Sequence, residues 1–135
     1  GHVTEQLGRM RGGGQTGPAA LEELGEALLT MLTGGRAVAL NRAAAADMSG
    51  TLGAAIAKGG REAVLPLLAD LVREAQANGN LGTADLHEIS ETYVALLVGD
   101  MQIRRAIGSL DAPSGGYITA RARRAVIQLQ RLYPA

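Results

Sequence analysis

Few residues in this chain have both the type and the spacing for chemistry. Asp100 and Arg104 stand four apart on a helical stretch, acid before base, which is the favourable order for a side-chain ion pair. An exposed pair of this kind contributes a few tenths of a kcal/mol, roughly. The same two residues fall inside an apolar arc, so the alternative is a polar anchor at a pocket or an interface. Asn41 and Arg42 interrupt an alanine-rich run, and an arginine there is usually paired structurally, with Asp47 or Glu62 within reach. His87 has no second histidine or carboxylate at metal-ligand spacing, so a metal site is not expected. The Gly12-Gly13-Gly14 triplet has neither a preceding strand nor the Lys-Ser/Thr tail of a phosphate-cradling loop, and reads as a connector. No nucleophile–base pair, carboxylate dyad or cofactor fingerprint is present, so neither catalysis nor a cofactor is expected.

What the sequence offers instead is an apolar pocket with an aimed polar group, the usual form of a small-ligand site. Tyr93, one turn before Leu97 and two before Met101, is the candidate for that group. Met31, Met48, Leu52, Leu68, Val72, Leu97 and Met101 are candidates for the wall, where a methionine thioether adapts to different shapes. Each of these equally suits plain core filling.

Charge and composition narrow the remaining classes. The 135 residues carry 13 basic and 13 acidic side chains, so there is no global case for nucleic acid or an anionic membrane surface. Arg121, Arg123, Arg124 and Arg131 cluster near the C-terminus, but at a spacing that flanks an apolar face, as a solvated or interface-rim surface does. With no cysteine, disulfides and thiolate metal sites are excluded, and a reducing compartment is permitted. No run reaches the roughly 20 apolar residues of a membrane span. Gly1-His2 reads as residual tag sequence, and residues 1–17 as tag and flexible linker.

The elements that must position these residues are helices. Thr83 to Gly108 is the central one: Leu86, Ile89, Tyr93, Val94, Leu96, Leu97, Met101, Ile103 and Ile107 spread over about half its circumference at roughly 100° per residue. Thr83 is its expected cap. On its other side Ala95, Gly99, Gln102 and Ala106 form a row of mostly small residues, which favours close approach of another helix and suggests a subunit seam. Further helices are expected at Pro18–Thr33, Arg36–Met48, Gly50–Lys58 with Ser49 as cap, Arg61–Asn78, and Tyr117–Tyr133. Pro66 either sits in the first turn of its helix or kinks it. On the last helix Ala120 and Ile127 lie opposite the main apolar face, which extends the seam. The fold class is all-α, a bundle of about five to six helices.

This order of parts, with A-x-x-N-G-N-L at 75–81 and L-V-G-D-x-x-x-R-x-x-I-G at 97–108, resembles the C-terminal ligand-binding and dimerisation domain of TetR-family transcriptional regulators, particularly the AefR-like branch. The resemblance covers most of residues 18 to 133. Arg42 with Asp47 resembles the family's Arg and acidic residue in the helix after the first long one. The aromatic-Pro segment that usually follows is replaced here by Ser49-Gly50-Thr51-Leu52. The resemblance implies a bacterial, cytoplasmic homodimer whose last two helices pair with their copies as a four-helix bundle, and a small apolar or amphipathic ligand bound within each subunit. It also implies DNA reading by a preceding helix-turn-helix. Residues 1–17 are too short for that module, so this chain alone is not expected to bind operator DNA. The rival expectation is a helical protein-interaction module with a filled core and no pocket.

Overall fold

A computed structural model of the chain describes residues 16–135, and these form seven helices and no strand. They are α1 (Gly17–Thr33), α2 (Gly35–Ala46), α3 (Thr51–Gly59), α4 (Arg61–Ala77), α5 (Leu86–Val98), α6 (Met101–Ala106) and α7 (Gly115–Leu132). The connector assigned to the glycine triplet lies outside the described residues.

The first helix shows how the sequence sets the core. Pro18 occupies the opening turn, where a missing N–H costs nothing. Leu21, Leu24 and Leu28 recur at helical spacing and are buried with Leu29. Helix α1 lies against α7 and α4, and α5 packs on both α4 and α7. Leu68, Leu71 and Val72 from α4, Ile89, Tyr93 and Leu97 from α5, and Ala122, Val126 and Leu129 from α7 complete one continuous core. Helix α2 packs on α1, α3 and α6, while α3 touches α4 and α2.

The expected central post is not one helix. It stops at Val98 and resumes at Met101, because Gly99 takes φ +52°, a left-handed conformation that ends a helix and that glycine adopts without steric cost. Met101 is still buried, but Ile103 and Ile107, expected in the apolar arc, are exposed. The caps differ too. The carboxylate of Asp85, not Thr83, accepts from the Glu88 N–H at 3.0 Å and starts α5. Asp47 accepts from the Leu52 N–H at 2.9 Å and Ser49 from the Thr51 N–H at 3.2 Å, so the two share the opening of α3. Pro66 lies inside α4, on its exposed side.

Three helix C-termini are closed by arginines from elsewhere in the fold. Arg42 of α2 donates to the Ala106 carbonyl at 2.7 Å, Arg105 of α6 donates to the Thr33 carbonyl at 2.9 Å, and Arg121 of α7 donates to the Leu97 carbonyl. A cation at the negative end of a helix is favourable, and the guanidinium satisfies carbonyls that have no partner within the helix. Arg42 therefore ties α2 to α6 and is not paired with Asp47 or Glu62.

Candidate functional site

The space left between α1, α2, α3, α4, α5 and the start of α6 is a cavity of about 400 Å³. Helix α1 supplies Leu28, Met31 and Leu32 to its wall, and α5 supplies Val94 and Val98. Ile56 and Ala57 come from α3, and Val64 and Leu65 from α4. The cavity exists because the elements covering it have little to put into it. Helix α2 buries one side chain, Val38, and α3 buries none. Ala44, Gly53 and Gly60, the small residues of the wall, stand where larger side chains would close the gap.

Three polar side chains interrupt this lining: Asn41, Arg61 and Gln102. Gln102 donates to the Leu32 carbonyl at 3.5 Å, the long limit for such a bond. Arg61 is half-exposed and reaches Glu91 at 3.2 Å. His87 Nε2 stands 3.2 Å from the same carboxylate. No acidic side chain and no aromatic ring lines the cavity.

Of the residues expected to form the pocket, Met31 lies on this wall. Leu68, Val72, Tyr93, Leu97 and Met101 are in the closed core on the other side of α1 and α4, and Leu52 is half-buried away from the cavity. Met48 is 100% exposed, since α2 ends two residues before it. Tyr93 is fully buried and its hydroxyl donates to the Leu21 carbonyl of α1. Gly25 makes this possible: a Cβ there would run into the Tyr93 hydroxyl, with Leu97 Cδ1 at 3.1 Å and Ala122 Cβ at 3.3 Å. Burial pushes the Tyr93 phenol above its usual range, and Glu22 and Glu26 add to the shift. Tyr93 is thus a satisfied core tyrosine that holds α5 against α1.

The other expected polar residues also serve the fold. Asp47 accepts from the Leu52 and Ser49 N–H groups and from the Ser49 hydroxyl, and these bonds hold its carboxyl below the usual range. Asp100 and Arg104 approach to 3.9 Å on the surface, with both side chains exposed. Among the described residues no group of three His, Cys, Asp or Glu converges as a metal site would require.

The small-residue row splits at the Gly99 break. Ala95 and Gly99 face outward beside Ala120 and Ile127 of α7, the last 41% exposed. Gln102 and Ala106 turn inward, the first to the cavity and the second to the α2 contact. Gly99 also lies under Arg121, whose Nη2 would be 2.7 Å from an added Cβ.

Apart from Met31, none of the lining residues was among those expected for the wall: Leu28, Leu32, Asn41, Ala44, Gly53, Ile56, Ala57, Gly60, Arg61, Val64, Leu65, Val94, Val98 and Gln102 were all missed as cavity residues. The available signal was the density of glycine and alanine between residues 50 and 60, next to a short helix.

Residues 19–135 match the family described as AefR-like transcriptional repressor, C-terminal domain. The chain belongs to this family. Its fold is shared by solved TetR proteins. A TetR transcriptional regulator from Agrobacterium tumefaciens superposes with a TM-score of 0.72 at 27% identity, over 96% of this chain and 61% of that one. A putative TetR-family transcriptional regulator from Mesorhizobium loti MAFF303099 gives a TM-score of 0.75 at 20% identity, over 99% of this chain and 65% of that one. This TetR-type domain therefore spans less than two thirds of either neighbour's length. No curated protein matches it. Among the described residues no helix is long and apolar enough to cross a membrane.

Proposed function

We propose that this chain, residues 18–135 in particular, is the effector-binding and dimerisation domain of a TetR-type transcriptional regulator. The observation that carries the reading is the cavity of about 400 Å³, largely apolar and interrupted by a few polar groups, as small-molecule sites are. A small apolar or amphipathic molecule would fill it. The outward face of α5 and α7 around Ala95, Ala120 and Ile127 would pair with its copy, the two helices of each subunit making a four-helix bundle. The DNA contact of such a regulator would be made by a helix-turn-helix outside this chain, in the bacterial cytoplasm. A ligand that favours one spacing of the paired subunits would move two such modules in or out of register, by no more than its differential affinity for the two arrangements.

Native mass spectrometry of the purified chain tests both parts together. A dimer with retained small-molecule mass is expected. A monomer with nothing bound, unchanged at high protein concentration, would overturn the reading and favour an interaction module. Ile127→Glu and Ala120→Glu should each give soluble monomer if the α5–α7 face is the seam. Gly99→Glu is unsuited to this test, since strain at φ +52° and the Arg121 contact would disturb α5 whatever its surroundings.

A further inference from the structure

We infer that the cavity selects an aliphatic carboxylate: a saturated chain lying on the walls from α1, α3 and α5, with its anionic head at Arg61. This rests on the reading of the cavity as a ligand site, and it names the ligand's chemistry. Three features of the lining lead to it. First, the apolar wall is aliphatic throughout, and none of the described tyrosines reaches it. A planar ring would find no aromatic face to stack on, whereas an alkyl chain needs only close aliphatic contact.

Second, the formal charge in the lining is cationic. Arg61 is the one charged side chain of the lining and no Asp or Glu lines the cavity, so an organic cation entering it would meet a like charge first, the nearest carboxylate being Glu91 behind Arg61. Asn41 and Gln102 do not set the sign, because a carboxamide presents both a donor and an acceptor. Third, Arg61 is in a position to exchange partners. Its present partner is Glu91 at 3.2 Å, in a pair exposed to water on both sides (53% and 48%) and therefore weak. A planar guanidinium is also the side chain best matched to a carboxylate, which it binds through two parallel hydrogen bonds.

Calorimetric titration of the purified chain tests this, using straight-chain carboxylates from hexanoate to dodecanoate with the 1-alkanols and 1-alkylamines of equal length. The carboxylates should bind, tightening about fourfold per added methylene until the cavity is full. Amines of equal length should bind at least tenfold more weakly. In Arg61→Gln the carboxylates should fall to the level of the alkanols, and the alkanols should be unaffected. Since Arg61 is on the surface, this variant is expected to fold, and its circular dichroism checks that.

Alkanols and carboxylates binding equally to wild type and variant would overturn the assignment of the anionic head while leaving the apolar pocket in place. Amines binding as tightly as carboxylates would do the same. If no series binds at any length, the ligand-site reading falls together with this one.

Discussion

The two sides of α1 and α4 are packed to different densities. Toward α5 and α7 stand Leu21, Leu68, Ile89, Tyr93, Leu97 and Leu129, each essentially removed from water, with the Tyr93 hydroxyl bonded to a carbonyl. Toward α2 and α3 the same two helices present Leu28, Met31, Val64 and Leu65 to a cavity. The difference arises in what lies opposite. Helix α7 brings Ala122, Ala125, Val126 and Leu129 on one continuous stripe, whereas α2 and α3 are short, rich in alanine and glycine, and bury a single valine between them. A filled side can be rigid and carry a subunit seam. A side with missing volume can accept a guest. Having both in one small domain is what a sensor requires, since the guest must disturb something that the other side transmits.

The sharpest way to break the comparison is to remove equivalent volume from each side. Leu97→Ala should cost about 2 to 5 kcal/mol, since a buried leucine leaves a void that its neighbours only partly close. Ile56→Ala borders space that is already empty and should cost about 1 kcal/mol. Urea denaturation with unchanged m reads both, and equal losses would mean that the cavity is not open in solution.

Adding a methyl group is the complementary test. Gly25→Ala places a Cβ against Tyr93, Leu97 and Ala122, and overpacking of this kind costs about 1 to 3 kcal/mol. Gly53, also inside a helix, has nothing within 4 Å of the added Cβ. Gly53→Ala should therefore stabilise by about 0.5 to 1 kcal/mol through helix propensity alone. Opposite signs in thermal denaturation would confirm the contrast between the two sides. A loss at both would count against it.

Tyr93→Phe should cost about 1 kcal/mol at neutral pH, the net value of one buried hydrogen bond. The phenol's folded pKa lies above its unfolded value, so its contribution is complete below about pH 10 and is lost as pH rises through the folded value. The wild-type chain should thus lose stability in that alkaline range, and the phenylalanine variant should lose less. Parallel alkaline melts would show that the hydroxyl is not sealed from water.

The smallest expected effect is at Asp47, on the α2–α3 connection at the surface. Its folded pKa is depressed by bonds from Leu52 and Ser49, so its stabilisation holds above the unfolded carboxylate range near pH 4 and disappears as pH falls through the lower folded value. Asp47→Asn should melt slightly below wild type at pH 7 and together with it at pH 2. A gap that persists at pH 2 would assign the effect to shape and not to charge.

How far the sequence could be read follows the same division. The leucines of α1, Ile89, Tyr93 and Leu97 of α5, and the stripe of α7 from Ile118 to Leu129 were legible as buried faces, because each belongs to one helix at one period. The same period carries the expected face on to Leu132 and Tyr133, but Leu132 is exposed where the helix ends. Helix ends at Pro18, Gly34 and Asn78 were legible because their backbone chemistry is local. Tyr93 was legible as an apolar-face tyrosine with two readings, and nothing local said that the Leu21 carbonyl would accept its hydrogen bond. Arg42 was visible as an unusual arginine, but its partner at Ala106 lies 64 residues away.

By itself, then, the sequence determined an all-helical chain with its apolar stripes and its family pattern, since helical periodicity acts within a few residues. Only the tertiary structure decided that Gly99 breaks the central helix, that the arginines close the ends of other helices, and that the empty volume lies under α2 and α3. A cavity is the space that several elements together fail to fill, so no single segment encodes it.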